Sequence, residues 1–480
     1  MADSLADATV RLERPAVIQA TFSRRRKRIA ASRLLSSNAA IRRCFAFTSS
    51  SRLVPEISSM SELRYRISLL LYLAAFGVTL FCRTANAQPG ATFQLRDGDQ
   101  VVFYGDSITA QRLYTAYVED FLLTRYPGMD VEFFNAGVPG DTVYGGYTGD
   151  TATRLKRDVY PHNPTVVTVM LGMNDPGYVP FDQHIFEVYK TGYTSLIDQL
   201  TASLPAARLT LIVPTPYDEI THGTEFPGLQ ATVDRYGQFV AEYGKQTHRP
   251  VADFYLPLFD LLRRAKTDNP SFASIIIPDR IHPDDMGHWV MAEELMRRWG
   301  ASAVVSRVKL DAANSVATGG ENAEVSAVHR TNSGVTWTCL EHALPLPIPT
   351  NEPMAQFVFR IANLSSMDQE ILEVRGLMAE NYDLRIDGKS IAILSRADLE
   401  TGVNLAELST PMLGQSRGVA WLEERRMKQD AARFSLIAGD SLVPGGAEAA
   451  KTLAVASAAV RKQQHLEAMP KSHNFELVAR

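Results

Sequence analysis

Between residues 94 and 300, short apolar runs alternate with longer amphipathic stretches, and this alternation constrains the fold more than any other feature of the chain. Strand-like runs fall at 100–104, 131–134, 165–171, 208–213 and 250–252, and helical periods at 110–126, 151–159, 182–203, 228–247, 254–266 and 285–299. Strand and helix taken in turn predict an α/β domain with a parallel sheet covered on both faces. Val166-Val167-Thr168-Val169-Met170-Leu171 is β-branched and nearly uninterrupted, as a central strand requires.

A chain of 480 residues exceeds one typical core, so a second region is expected. Beyond Ser302 the pattern changes. Short strand-like runs at 304–310, 322–329, 335–339, 355–363, 382–387 and 390–395 predict a smaller β-rich region over 303–412, sandwich-like in character, with a proline-rich loop from Ala343 to Pro353. A helical period returns at 417–436 with Val419, Leu422, Met427 and Ala431 on one side, and the alanine-rich end reads as a loose helix or a tail, so that 413–480 forms a helical segment and tail.

The amino-terminal part follows other rules. Arg64 and Arg66 precede an apolar run from Ile67 to Phe81, and Ala85-Asn86-Ala87 supplies small residues, so 60–87 has the layout of a secretory signal peptide. That layout predicts a start at Met60, a protein secreted or held in the periplasm, and residues 1–59 as a mis-assigned or disordered extension. An uncleaved anchor is the alternative. Of the 3 cysteines, Cys44 and Cys82 lie in these segments, which leaves Cys339 with no partner for an internal disulfide. A net charge of -4 gives no pull toward nucleic acid or anionic membrane, so neither a nucleic-acid partner nor stable membrane anchoring is expected.

Chemistry-bearing residues sit at the strand ends. Gly105-Asp106-Ser107-Ile108-Thr109 follows the first strand, where ligands bind in open α/β sheets. Asn135-Ala136-Gly137 and Gly172-Met173-Asn174-Asp175 follow two others, and Asp279-Arg280-Ile281-His282-Pro283 lies far downstream. A serine hydroxyl needs a base to take its proton. His282 can do so through one ring nitrogen if Asp279 holds the other. The Ser107 and Gly137 backbone N–H groups and the Asn174 amide are candidate donors to an oxyanion. Each block alone has a plainer reading: Asp106-Ser107 caps a helix, Pro283 starts one, and the glycines and Asn174 make turns. His288 reads as a packing or solvent-facing residue, and His162, His184, His222 and His248 as surface histidines. Asp279, His282 and His288 could also ligate zinc, but Ser107 and Asn174 would then have no role.

Together the four blocks resemble the SGNH (GDSL-type) hydrolase family in residue and order, over about 94–300. The resemblance implies a three-layer α/β/α flavodoxin-like domain. It also implies Ser107 as nucleophile, His282 as base, Asp279 as its partner, and Ser107, Gly137 and Asn174 as the oxyanion hole, without metal or cofactor. Thr109 stands where the last glycine of Gly-x-Ser-x-Gly would be. Tyr382–Lys389, Gly402–Ala406 and Thr410–Met412 look like extensions of some secreted bacterial members. The expected activity is a serine esterase working through an acyl-enzyme, with small acyl esters on carbohydrate or a polysaccharide as substrate. A lipid esterase or thioesterase of the same fold, or an inactive carbohydrate- or surface-binding protein, remain alternatives. Oligomeric state is not legible.

Overall fold

The computed structural model describes residues 93–349, 352–438 and 444–480. The signal-peptide and extension readings, with Cys44 and Cys82, lie outside these residues. Five strands form the first sheet: β1 (Gln100–Gly105), β2 (Glu132–Gly137), β3 (Val166–Met170), β4 (Arg208–Val213) and β5 (Val251–Asp253). All pair in parallel, in the order β2-β1-β3-β4-β5, the flavodoxin-like winding. Every residue of β3 is buried, so both faces of the sheet are covered.

The helices are α1 (Ser107–Ala110), α2 (Leu113–Arg125), α3 (Thr151–Asp158), α4 (Gln183–Ser203), α5 (Leu229–Gln246), α6 (Tyr255–Asp268), α7 (Pro270–Ile276) and α8 (Asp285–Arg298). The helical period predicted from 110 breaks because Arg112 takes a left-handed φ of 66°. The sequence pattern also missed α7, a short helix with Asn269 capping and Pro270 in its first turn. Register then sets the site. Gly105 pairs with Gly137 on one side and Met170 on the other, so the residues leaving β1, β2 and β3 emerge along one edge.

The β-rich region has two sheets. Strands β6 (Val304–Asp311), β7 (Val316–Glu321), β8 (Ala323–Thr331), β9 (Gly334–Glu341), β10 (Gln369–Arg375), β11 (Asn381–Ile386), β12 (Lys389–Ser395), β13 (Val403–Asn404) and β14 (Ser472–Ala479) are ordered β8-β9-β14-β11-β12 and β13-β10-β6-β7. Leu310, Trp337, Leu372, Leu384 and Phe475 from both sheets share one core, and Cys339 is buried in it.

Three expectations are corrected here. Residues 355–363 are not a strand: Asn363 is the left-handed cap, and 355–362 lie in the helix α9 (Pro353–Ala362). Its buried Ala355, Val358 and Ile361 repeat at helical spacing, and it packs on the first core, where Arg264 donates to the Ile361 carbonyl at 3.0 Å. After the short α10 (Arg396–Thr401), two long helices follow, α11 (Pro411–Ala438) and α12 (Gly446–Ala468). The buried face of α11 carries Val419, Glu423 and Arg426 rather than Leu422, Met427 and Ala431, because ionic partners wait on α2. The chain end is no loose tail: β14 pairs with β9 and β11 in the middle of its sheet. Arg125 joins the two regions, bonding the Ser302 carbonyl at 2.6 Å and the Asp368 carboxylate at 3.0 Å. Among the described residues no helix is long and apolar enough to cross a membrane.

Candidate active site

Backbone closeness makes the turn that carries Ser107. A Cβ at Gly105 would lie 2.2 Å from Thr109 Oγ1 and 2.8 Å from the Met170 carbonyl oxygen, so only glycine lets the chain fold back into α1. Asp106 caps that turn, its Oδ1 accepting the Ile108 N–H at 3.0 Å. It is buried, and burial pushes its pKa up to about 7. The capping reading is therefore correct for Asp106, and it leaves the Ser107 hydroxyl free for another partner.

That partner is His282. Its Nε2 lies 2.8 Å from Ser107 Oγ, and its Nδ1 lies 2.7 Å from Asp279 Oδ2. The other Asp279 oxygen accepts the backbone N–H groups of Ile281 at 3.0 Å and His282 at 2.8 Å. Burial raises the Asp279 pKa, but these hydrogen bonds outweigh it and hold the carboxyl down at about 2. Asp279 thus stays ionised and fixes the imidazole tautomer with the proton on Nδ1, which leaves Nε2 to accept from the serine. Arg280 turns the loop at a φ of 72°, and its guanidinium bonds the His222 carbonyl at 3.2 Å. Asp284 caps α8, its Oδ1 accepting the Gly287 N–H at 2.9 Å, and Asp285 opens the first turn, so a helix does start here, but Pro283 lies one residue before the cap rather than in the first turn.

Gly137 sits against the serine turn. A Cβ there would come within 2.3 Å of the Ala110 nitrogen. Its N–H donates to Asn135 Oδ1 at 3.0 Å, while the Asn135 amide donates to the Thr109 carbonyl at 2.7 Å. An oxyanion would therefore share the Gly137 donor with Asn135. Asn174 is oriented by two contacts: Nδ2 donates to the Asp141 carbonyl at 3.0 Å and Oδ1 accepts the Tyr178 hydroxyl at 2.9 Å. One amide hydrogen of Asn174 remains for a ligand. The neighbouring Asp175 accepts the Val143 N–H at 2.9 Å, and burial raises its pKa to about 7.

The sequence reading missed the support behind these groups. Arg154 on α3 is fully buried and donates to Asp141 Oδ2 at 2.7 Å and to the Ala136 carbonyl at 2.7 Å, with Asp158 as a third partner. It clamps the loop whose Asp141 carbonyl orients Asn174. The signal was weak, because Arg154 and Asp158 four apart on a helix read as a solvated pair. His288 is buried, with Nδ1 accepting the Tyr114 N–H at 3.2 Å, so it does not join Asp279 and His282 as a ligand set. His162 is not a plain surface residue but stacks on Phe134 at 3.9 Å. A cavity of about 360 Å³ between α2 and the hairpin of α11 and α12 is lined by Arg112, Asn135 and Phe434, and not by Ser107, Asp279 or His282. The candidate residues lie at the strand ends, not there.

Residues 103–290 match the GDSL-like lipase/acylhydrolase family. The chain is similar to an acetylxylan esterase of Geobacillus stearothermophilus, 26% identical over 234 residues, which covers 45% of this chain and 100% of that protein. Its fold is similar to that of a gut microbial diltiazem-metabolizing enzyme, with a TM-score of 0.71, 24% identity, and coverage of 81% of this chain and 99% of that one. That second likeness extends over both regions and shows the fold. Over residues 103–290 the chain is thus similar to the GDSL-like lipase/acylhydrolase family, and the protein is an enzyme that hydrolyses carboxylic esters.

Proposed function

We propose that this is a serine esterase that works through an acyl-enzyme and removes small acyl groups from carbohydrate. The observation that carries the mechanism is the unbroken line from Asp279 through His282 to Ser107, with links of 2.7 and 2.8 Å. Ser107 Oγ attacks the ester carbonyl as His282 Nε2 takes its proton. The negative oxygen formed is met by the Ser107 N–H, the free Asn174 amide hydrogen and the shared Gly137 N–H. His282 returns the proton to the leaving alcohol, and then activates the water that releases the acid. Asp279 stays ionised throughout and stabilises the imidazolium.

The carbohydrate part of the proposal is supported by the acetylxylan esterase to which the domain is similar, by the β-rich region beside it, and by the export signal read at 60–87. We place the protein outside the cytoplasm on that signal, and amino-terminal sequencing of exported material should begin near Gln88. The activity test is hydrolysis of p-nitrophenyl acetate, butyrate and octanoate by the full chain, wild type beside Ser107→Ala, with acetyl release from acetylated xylan. Activity that is highest on acetate and lost in Ser107→Ala is expected. A preference for octanoate would move the substrate to lipid esters, and undiminished activity in Ser107→Ala would overturn the mechanism.

A further inference from the structure

Gln111 stands where the turn that carries Ser107 meets the loop that carries His282. Its backbone N–H donates to the Ser107 carbonyl at 3.0 Å and closes α1. Its side chain reaches the other way. Nε2 donates to the carbonyl of Pro283, the residue after His282, at 3.3 Å, and Oε1 faces His288 Nε2 at 3.2 Å.

The orientation of this amide is not arbitrary. His288 is buried, stacked parallel to Tyr114 with ring centroids 6.0 Å apart, and its Nδ1 accepts the Tyr114 backbone N–H at 3.2 Å. The neutral ring therefore carries its proton on Nε2, and that nitrogen can only donate. Burial, and then the nearby charge of His282, hold the His288 pKa down at about 3, so the ring is neutral while His282 gains and loses its proton. A neutral His288 with Nε2–H turns Gln111 Oε1 toward itself and so turns Nε2 toward Pro283. Reversing the amide would set N–H against N–H and carbonyl against carbonyl.

We infer that Gln111 is a positioning residue for ester hydrolysis, holding the His282 loop at hydrogen-bonding distance from Ser107, and that buried His288 selects its orientation. The inference rests on the reading of Ser107 and His282 as nucleophile and base. The loop has other anchors, since the Asp284 N–H bonds the Ile276 carbonyl at 2.9 Å and the Asp218 N–H bonds the Arg280 carbonyl at 2.9 Å. Loss of Gln111 should therefore cost alignment before it costs the fold.

Two variants separate positioning from mere satisfaction of a buried histidine. Gln111→Met keeps the length and removes both hydrogen bonds. Gln111→Glu keeps an acceptor for His288 but sets an oxygen against the Pro283 carbonyl. Both should lower kcat on p-nitrophenyl acetate, and the rate of Ser107 labelling by a fluorophosphonate, by about 10- to 100-fold. KM should stay within about threefold, and the thermal midpoint within about 3 °C. Wild-type kcat in Gln111→Glu would overturn the inference, because satisfying His288 would then be the whole role. A rate loss that appears only as the midpoint falls to the assay temperature would overturn it in favour of packing. If wild type takes no fluorophosphonate while Ser107→Ala still hydrolyses the ester, it is the serine reading that has failed, and the Gln111 variants do not bear on that.

Discussion

Arg426 of α11 and Glu119 of α2 form a buried ion pair across 307 positions of sequence. Arg426 also holds Glu423 at 3.0 Å and Asp430 at 3.0 Å, so one guanidinium serves three carboxylates where the carboxy-terminal helices meet the hydrolase domain. Burial raises the pKa of both Glu119 and Glu423, and Arg426 works against that rise. Arg426→Leu leaves these acids buried without their cation. We expect a loss of about 3–5 kcal/mol in stability, read by urea unfolding. A double change, Arg426→Leu with Glu119→Leu, should recover part of it, and no loss in the single variant would refute the role.

Asp279→Asn should lower kcat by about 10³- to 10⁴-fold, since an amide no longer selects the tautomer that frees Nε2 for Ser107. The turn accepts either side chain through Oδ1, so the thermal midpoint should hardly move. Kinetics on p-nitrophenyl acetate beside a melting curve checks both statements, and a rate within tenfold of wild type would exclude Asp279 as the orienting acid.

Asn174→Ala should reduce kcat by about 10²- to 10³-fold if its amide meets the oxyanion. Tyr178→Phe removes one of the two bonds that orient that amide, at 2.9 Å, and leaves the Asp141 carbonyl at 3.0 Å to hold it. Its effect should be smaller than that of Asn174→Ala and should fall on kcat with KM unchanged. Equal effects would mean that Tyr178 acts on the substrate directly.

Stability should fall from pH 5 to pH 8. Burial raises Asp106, Asp175, Asp284 and Glu293 to about 7 in the folded protein. A carboxyl with a raised folded pKa stabilises fully below its unfolded value and loses that contribution as pH rises through the folded one. His162 and His288, lowered from 6.5 to about 4 and about 3, have the opposite sign and offset part of the decline below pH 6.5, and Asp279 likewise loses its contribution as pH falls from 3.8 toward about 2. Thermal midpoints across pH 5 to 8 should decline, and Asp175→Asn should flatten the slope while still accepting the Val143 N–H. A midpoint that rises over this range would refute the assignment.

What could be read from the chain alone was what local pattern encodes. The β-branched run at 166–171 became the buried β3, and the strand ends carrying Gly105, Gly137 and Asn174 came out along one edge because their register follows from the parallel winding. Ser107, His282 and Asp279 were legible as residue types in order, since a candidate nucleophile, base and acid are recognised by side-chain chemistry wherever the chain brings them. Partner choice was not legible. Arg154 and Arg426 look like solvated helix charges until the fold closes over them. Gln111 and His288 have no signature at all, because their role arises from where two loops meet. Residues 355–362 are apolar enough for a strand, and only the surface of the first core makes them a helix; the last eight residues of the second core, Ser472–Ala479, find their place between β9 and β11 by hydrogen bonds to strands far away in sequence. Periodicity is a property of neighbours along the chain, whereas burial, ionic pairing and strand insertion depend on which distant surfaces meet, and only the tertiary structure decides that.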